Sequence, residues 1–315
     1  MKITVLDKCT VTTGDVSLDE ISSLGDVRFY DVVEPSKIAE TIGDGDAVIC
    51  NKAKITDEIM TACKNLKYIG LFATGYNNID IEAARRHGVT VCNVPGYSTD
   101  SVAQQVFAMI LHFATSADKY NASVARGDWA NSKTFSYLAY PITELSGKTL
   151  GIFGFGTIGK KVAAIGMAFG MKILAVSHKK TSYTNVEFVG TDELFARSDY
   201  LTLHCPLTDE TRGLVNARTL SLMKPTAVLI NTARGGCVEE DALADALNGG
   251  TIAGAGVDVL DVEPMRKNHP YLTAKNIFMT PHVAWGSFEA RTRLITLVCE
   301  NVRAFLRGEP INKVN

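Results

Sequence analysis

Short runs rich in Val, Ile and Leu alternate with amphipathic stretches along nearly the whole 315-residue chain, and this alternation constrains the fold more than any other feature. Strand–helix alternation of this kind predicts parallel sheets with helices on both faces. One series of strand candidates ends near residue 93, and a second begins at residue 149. The predicted fold class is therefore α/β, with two doubly wound parallel-sheet domains.

The predicted elements follow from runs of apolar residues and their spacing. The strand candidates are Lys2–Asp7, Ala47–Cys50, Tyr68–Phe72, Thr90–Asn93, Thr149–Phe153, Lys172–Val176, Tyr200–His204, Ala227–Asn231, Gly256–Val259 and Ile277–Thr280. The helix candidates are Thr56–Lys64, Ile81–His87 with Gly88 as its stop, Asp100–Thr115 with Asp100 as its N-cap, and about Ser287–Leu306. Residues 116–146 are expected to be irregular. Their aromatic residues suggest an arm that either contacts a second subunit or covers a helix, and they are Trp129, Phe135, Tyr137 and Tyr140.

Composition excludes several classes of protein. The chain has 32 Lys and Arg against 34 Asp and Glu, a net charge of −2, which argues against binding to nucleic acid or to an anionic membrane. The most apolar long segment, residues 162–176, contains Lys172 and is too short to span a bilayer. The N-terminal residues MKITVLDKCT resemble a strand rather than a secretory signal. Seven scattered cysteines indicate reduced thiols, so we expect a cytoplasmic protein without a metal site.

A glycine-rich segment follows the strand Thr149–Phe153 directly. Its residues are Gly154, Phe155, Gly156, Thr157, Ile158 and Gly159, and a helix is predicted from Lys160 to Phe169. Three glycines in six residues can be a tight turn and nothing more. Between a strand and a helix, however, this spacing is typical of a dinucleotide-binding loop, in which the glycines allow the turn, the approach of the pyrophosphate and the helix packing.

The choice of dinucleotide is usually decided at the end of the next strand, where an acidic residue holds the ribose 2′-hydroxyl of NAD. That strand is followed here by Ser177, His178, Lys179 and Lys180, and residues 160–186 contain no Asp or Glu. A hydroxyl beside basic groups accepts a 2′-phosphate, so the sequence favours NADP(H), with NAD(H) possible. The alternative is that the two lysines only form a solvated turn.

Polar residues follow three strand candidates of the second series, at the edge where open α/β sheets place their active sites. These are Arg234 after residues 227–231, Asp258 and Glu263 at or near the end of residues 256–259, and His282 after residues 277–280. Each has an ordinary structural alternative: an Arg before Gly-Gly can cap a helix, an acid before Pro can form a turn, and a His can be structural.

Separated motifs that cover nearly the whole chain resemble the D-isomer-specific 2-hydroxyacid dehydrogenase family. They are ATGYNNID (73–80), NVPGYSTDSVAQ (93–104), ELSGKTLGIFGFGTIG (144–159), HCPLTDETRGLV (204–215), NTARGG (231–236), GVDVLDVEP (256–264) and TPHVAWGS (280–287). Within the family, the motifs NVPGY and HVAW are most similar to those of glycerate dehydrogenases, which are hydroxypyruvate (glyoxylate) reductases. Ser177 departs from the Asp that much of the family has at that position.

The resemblance implies a flavodoxin-like substrate domain made of residues 1–98 and 287–315, a Rossmann nucleotide domain over 99–286, an active site in the cleft between them, and a homodimer. It implies that Arg234 holds the substrate carboxylate, that His282 is the general acid in reduction, and that Glu263 orients the His282 ring. Residues expected to line the cofactor include the glycine loop, Ser177, His178, Lys179, Cys205, Pro206, Thr232, Ala233, Arg234, Asp258 and His282. Those expected at the substrate, besides Arg234, are Ala73, Thr74, Gly75 and Lys52, the last of which can equally be an exposed surface lysine.

The hypothesis is therefore an oxidoreductase that transfers a hydride between NADP(H) and a small 2-keto or 2-hydroxy acid. Hydroxypyruvate and glyoxylate, which would give D-glycerate and glycolate, are the first candidates. The alternative, from a different class, is a nucleotide-sensing interaction protein similar to the corepressors that resemble this family. Turnover distinguishes the two.

Overall fold

The structure is a computed structural model that describes residues 1–178 and 182–315. It divides into two compact units. One unit comprises Met1–Ser98 with Trp285–Asn315, and the other comprises Thr99–Ala284. Each unit is built around its own parallel sheet.

The first unit contains a five-stranded sheet in the order β2-β1-β3-β4-β5, and all its pairings are parallel. This is the flavodoxin-like strand order. The strands are β1 (Lys2–Val5), β2 (Asp26–Phe29), β3 (Ala47–Cys50), β4 (Tyr68–Leu71) and β5 (Thr90–Cys92). The helices are α1 (Asp19–Ser22), α2 (Ile38–Ile42), α3 (Asp57–Ala62), α4 (Ile81–Arg86) and α11 (Phe288–Leu306).

The second unit contains a seven-stranded parallel sheet in the order β12-β11-β10-β9-β6-β7-β8. The order reverses between β6 and β9, as in a Rossmann fold. The strands are β6 (Thr149–Phe153), β7 (Lys172–Val176), β8 (Val186–Phe188), β9 (Tyr200–Leu203), β10 (Val228–Asn231), β11 (Gly254–Val257) and β12 (Ile277–Met279). The helices are α5 (Thr99–Thr115), α6 (Ala117–Ala125), α7 (Thr157–Ala168), α8 (Thr191–Arg197), α9 (Ala217–Leu222) and α10 (Glu240–Gly249).

Both faces of each sheet are buried, which explains why the strands read as continuous apolar runs rather than alternating ones. In β3, Ile49 packs in the cluster that contains α11, whereas Val48 packs in the opposite cluster with α2 and α3. In β10, Leu229 and Ile230 likewise enter different clusters. The predicted α/β class with parallel sheets is confirmed.

Three local predictions are wrong. The edge strands β2 and β8 were not predicted, because they are short and none of their residues is fully buried. Helix α5 begins at Thr99, so Asp100 is not its N-cap but lies in the first turn, where its carboxylate Oδ1 is 2.8 Å from Lys161 Nζ. Residues 117–125 form α6 instead of irregular chain.

The aromatic arm after α6 is fixed to that helix by its tyrosines. Tyr120 Oη donates to the Tyr140 carbonyl at 2.8 Å, and Ser123 Oγ lies 2.8 Å from Tyr137 Oη. Phe135 and Leu138, by contrast, are 91% and 83% exposed. The arm thus covers one face of α6 and presents apolar side chains on its outer surface.

Candidate functional site

The loops that carry the predicted site residues of the second unit all leave the same edge of the seven-stranded sheet. They follow the carboxyl ends of β7, β6, β9, β10, β11 and β12, in that order along the sheet. Parallel strands present these ends together, and the crevice outside the point where strand order reverses is the usual ligand site of such sheets.

The first and third glycines of the loop after β6 are required by close packing. Gly154 has φ +98°, and a Cβ atom there would lie 2.6 Å from the His204 carbonyl oxygen. A Cβ atom on Gly159 would lie 2.3 Å from the Gly154 carbonyl oxygen. Neither position accepts a side chain, so these two residues allow the strand, the turn and the helix to approach one another.

The second glycine faces open space, as a pyrophosphate-binding loop requires. A Cβ atom on Gly156 would meet no heavy atom within 4 Å. Helix α7 begins immediately afterwards at Thr157, three residues earlier than predicted, and its first-turn amides have no partner within the helix. Phe155 is 7% exposed and packs edge-on against Phe188, so its side chain is occupied within the fold. This geometry fits the phosphates of a dinucleotide at a helix N-terminus.

The end of β7 differs from the sequence expectation in one respect. Ser177 is half-buried, and the exposed His178 has its Nδ1 3.9 Å from Glu210 Oε2. A carboxylate therefore does approach this loop, but it comes from the segment after β9, further along the chain. Lys179, with Lys180, lies outside the described residues.

The loops after β9 and β10 carry the next group of predicted cofactor residues. Cys205 is buried with its Sγ 3.9 Å from Cys237 Sγ, and Pro206 is exposed. Among residues 1–178 and 182–315, the buried Thr232 Oγ1 has no hydrogen-bond partner. An unpaired buried hydroxyl is costly unless something satisfies it, so this atom fits a polar group of a bound cofactor.

His204, at the end of β9, is half-buried with its Nε2 3.0 Å from Thr202 Oγ1. Burial of the ring lowers the pKa of His204 to about 3. This histidine is therefore neutral at physiological pH, and we assign it a structural role.

Arg234 is held by a folded turn that Asn231 organises. Asn231 Nδ2 donates to the Arg234 carbonyl at 2.9 Å, and Asn231 Oδ1 accepts from the Ala233 amide at 3.0 Å. The guanidinium Nη1 donates to the Ala233 carbonyl at 2.7 Å. Asn231 is 1% exposed, and both polar atoms of its buried amide group take part in shaping the turn.

His282 and Glu263 form a close pair. Nδ1 of His282 lies 2.6 Å from Oε2 of Glu263, and the two side chains are 27% and 31% exposed. Because the ring uses Nδ1 for the carboxylate, its Nε2 is available to a reacting group. The carboxylate thereby fixes the orientation of the ring.

The backbone at His282 is in a left-handed conformation, with φ +57°. Asp258 holds it there: the Asp258 carbonyl accepts from the His282 amide at 2.7 Å, and its carboxylate accepts from the amides of Val283 and Ala284, both at 2.9 Å. Burial raises the pKa of Asp258, in spite of the hydrogen bonds it accepts. Strained backbone of this kind persists only where the surroundings impose it.

In the first unit, the predicted substrate residues lie in two loops after β3 and β4. Lys52 is exposed, and its amide donates to Asp7 Oδ2 at 2.9 Å. Thr74 Oγ1 donates to the Val94 carbonyl at 2.8 Å, and Ala73 and Gly75 are half-buried beside it. These loops are thus fixed within their own unit.

Asp7 is a positioning residue that the sequence reasoning missed. It has φ +60°, and its carboxylate accepts from the Ala53 amide as well as from that of Lys52. The sequence signal was an acidic residue at the end of the first strand. It was missed because the predicted strand, Lys2–Asp7, included Asp7 itself.

Comparisons with known proteins identify the family of the chain. The D-isomer specific 2-hydroxyacid dehydrogenase family, NAD binding domain, matches residues 107–284. The chain belongs to this family. A hydroxypyruvate reductase from Blautia hydrogenotrophica is 38% identical over 321 residues, covering 100% of both chains, and a glycerate dehydrogenase from Methylorubrum extorquens is 37% identical over 316 residues, covering 99% of this chain and 98% of its own.

Among solved structures, an acyclic imino acid reductase in complex with NADPH and D-Arg superposes with a TM-score of 0.89, at 31% identity and with 100% of both chains covered. As a member of the D-2-hydroxyacid dehydrogenases, the chain is an oxidoreductase with an NAD-binding domain. Over residues 1–178 and 182–315, no helix is both long and apolar enough to cross a membrane.

Proposed function

We propose that this 2-hydroxyacid dehydrogenase is an NADPH-dependent reductase of small 2-keto acids, with hydroxypyruvate and glyoxylate as substrates and D-glycerate and glycolate as products. The observation that carries the proposal is the His282–Glu263 pair, whose Nδ1–Oε2 distance is 2.6 Å. It supplies an imidazole with one ring nitrogen available, and Glu263 follows β11, the neighbour in the sheet of the strand that precedes Arg234.

In this proposal Arg234 binds the substrate carboxylate through its planar guanidinium, which matches a carboxylate with two parallel hydrogen bonds. Its turn is already shaped by Asn231, so little ordering is needed on binding. Lys52 and the backbone of Ala73, Thr74 and Gly75 are the candidates from the first unit for the same anionic substrate.

His282 donates a proton from Nε2 to the keto oxygen, where negative charge develops during reduction, and takes it back in oxidation. Imidazole suits this step because its ordinary titration range is near neutral pH. Glu263 keeps the ring oriented and stabilises its positive charge, and Asp258 holds the backbone that presents it.

The cofactor residues in this proposal are the glycine loop, the first turn of α7, and the loops that contain Cys205, Pro206, Thr232 and Ala233. When bound, the nicotinamide supplies the hydride that reduces the keto carbon. Ser177 and His178, at the end of β7, support NADP(H) because neither repels a 2′-phosphate. The Glu210 carboxylate, whose Oε2 lies 3.9 Å from His178 Nδ1, would repel a 2′-phosphate. NAD(H) is therefore proposed as a second cofactor.

We also infer a homodimer that uses the outer surface of the arm. Phe135 and Leu138 are among the most exposed large apolar side chains of the described residues, and Trp129 beside them is 51% exposed. Exposed apolar side chains concentrated in one segment are typical of a subunit interface. The seven free cysteines, six of them buried, support a reducing compartment such as the cytoplasm.

The experiment is oxidation of NADPH and NADH followed at 340 nm, with hydroxypyruvate, glyoxylate and pyruvate in parallel. Faster NADPH oxidation with hydroxypyruvate or glyoxylate is the expected result. Turnover with NADH alone would overturn the cofactor assignment but would still support the proposed enzymatic activity. No turnover in spite of tight nucleotide binding would favour the nucleotide-sensing function instead. Addition of a primary amine to the same assay tests imine reduction, the reaction class of the structurally similar imino acid reductase.

A further inference from the structure

A second carboxylate–imidazole pair lies in the same unit, away from the residues assigned to the chemistry. His269 Nε2 is 2.9 Å from Glu240 Oε2, and their side chains are only 4% and 21% exposed. Glu240 is the first residue of α10, and His269 precedes the short turn Pro270–Leu272. Burying such a pair is costly unless each polar atom is satisfied, so its connections show what it does.

Hydrogen bonds define the protonation of this pair. The Tyr271 amide donates to His269 Nδ1 at 3.2 Å, so that nitrogen carries no proton. Nε2 therefore carries the ring proton and donates it to the Glu240 carboxylate. His269 acts as a neutral donor, and Glu240 keeps its second oxygen for another partner.

That second partner belongs to the loop that carries Glu263. Glu240 Oε1 accepts from the Asp261 amide at 2.9 Å, while the preceding amide, of Leu260, donates to Glu263 Oε1 at 3.0 Å. The two consecutive amides are thus held by different glutamates, that of Leu260 by Glu263 and that of Asp261 by Glu240. Movement of the peptide at Leu260–Asp261 would move Glu263, whose other oxygen holds His282.

The same peptide is also packed against the segment that follows Arg234. A Cβ atom on Gly235 would lie 1.8 Å from the Leu260 carbonyl carbon, so only glycine allows this contact. The stretch from Arg234 to Glu240 therefore contacts the Leu260–Asp261 peptide at its beginning, through packing, and at its end, through a charge-assisted hydrogen bond.

We propose that Glu240 and His269 are positioning residues that set the place of Glu263 against His282 by holding the Leu260–Asp261 peptide. The inference rests on the proposed roles of Glu263 and His282. Loss of the His269 link frees Glu240 to reorient, releases the Asp261 amide and weakens the hold of Glu263 on the imidazole. The ring then loses the carboxylate that supports it as the proton donor, and reduction fails at a lower pH than in the wild type.

The following charged and titratable groups face this network, and each variant below replaces only one of its residues. His282 is faced by Glu263 and by Asp258. Glu240 is faced by His269 and by Tyr271, beside which Asp241 also lies. Near Gly236, where the segment from Arg234 meets the loop, the charged neighbours are Asp261 and Arg212.

Two substitutions of His269 separate positioning from local folding. His269→Asn keeps an acceptor where Nδ1 receives the Tyr271 amide but has no donor that reaches Glu240. His269→Gln places its amide nitrogen where Nε2 is, so it keeps the donor to Glu240 and loses the acceptor for Tyr271. Glu240→Gln is a third variant: with its oxygen on the Asp261 amide, its NH₂ group faces the Nε2–H of His269, a donor against a donor.

The experiment measures kcat for NADPH-dependent reduction of hydroxypyruvate from pH 5 to 9, with thermal unfolding of each variant. We expect His269→Asn and Glu240→Gln to lower kcat by about tenfold and to move the alkaline limb to lower pH, with both KM values little changed. His269→Gln should recover most of the rate and the wild-type limb. His87→Asn, at the surface pair with Asp57, is the matched control and should change neither.

A His269→Asn variant that has a lower Tm but the wild-type pH profile would overturn the positioning role, because the pair would then be structural only. Equal profiles for His269→Asn and His269→Gln would overturn it as well. If the wild-type protein does not reduce the keto acid, the proposed function itself fails and this inference fails with it, an outcome distinct from the other two.

Discussion

Glu263 Oε2 lies 2.6 Å from His282 Nδ1, although the two residues follow different strands of the sheet. The contact directs the available nitrogen of the ring away from Glu263 and leaves it for a substrate. His282→Asn should therefore lower kcat for keto acid reduction by about 100-fold or more. NADPH binding, measured by fluorescence titration, should change little. A His282→Asn variant that retains the wild-type kcat would contradict the assignment of the general acid.

The hydroxyl at the end of β7 provides a test of cofactor choice. Ser177→Asp introduces a carboxylate where the 2′-phosphate of NADPH is expected, and kcat/KM for NADPH should fall by about tenfold or more, with NADH unaffected or improved. Ser177→Ala, which removes the hydroxyl without adding charge, is the control and should have the smaller effect. An equal loss of kcat/KM for both cofactors would mean that residues other than Ser177 discriminate between NADPH and NADH.

The glycine loop predicts opposite results at two neighbouring glycines. Gly154→Ala places a Cβ atom 2.6 Å from the His204 carbonyl oxygen at φ +98°, and the free energy of unfolding should fall by about 2 kcal/mol or more. Gly156→Ala meets no atom within 4 Å, and should change stability by less than about 1 kcal/mol but weaken NADPH binding. Urea unfolding and nucleotide titration measure the two effects. Strong nucleotide binding by the Gly156→Ala protein would argue against the pyrophosphate assignment.

His204 predicts a loss of stability in mild acid. Its pKa is about 3 in the folded protein and near 6.5 in an unfolded chain, so between these values the unfolded state binds a proton that the folded state does not. Stability then falls as pH decreases from 6.5 towards 3, by up to about 1.4 kcal/mol per pH unit from this residue. His204→Asn should show a shallower decrease between pH 7 and pH 5 in urea unfolding than the wild type. His178→Asn, at an exposed histidine, should match the wild type.

The arm predicts a change of oligomeric state. Replacing both Phe135 and Leu138 by Ser removes apolar side chains that are 91% and 83% exposed in the single chain. We expect the wild type to sediment as a dimer and the double variant as a monomer with nearly unchanged helix content. Val32→Ser, at a side chain that is 73% exposed in the first unit, is the control and should remain dimeric. A wild type that is monomeric at micromolar concentration would contradict the interface.

The sequence by itself determined the strands with continuous apolar runs, the glycine loop and the residues at strand ends. These are properties of local spacing: a strand buried on both faces needs uninterrupted apolar residues, and a turn at φ +98° needs glycine. The same reasoning missed β2 and β8, because an edge strand covered on one side has no such pattern.

Only the tertiary structure decided how distant residues meet. It brought Oε2 of Glu210 within 3.9 Å of Nδ1 of His178, although no acidic residue lies near β7 in the sequence. It also linked Glu240 and His269 to the Glu263 loop through two backbone amides. Such contacts depend on which strands are neighbours in the sheet and on where each loop turns, and no local pattern of residue types records either.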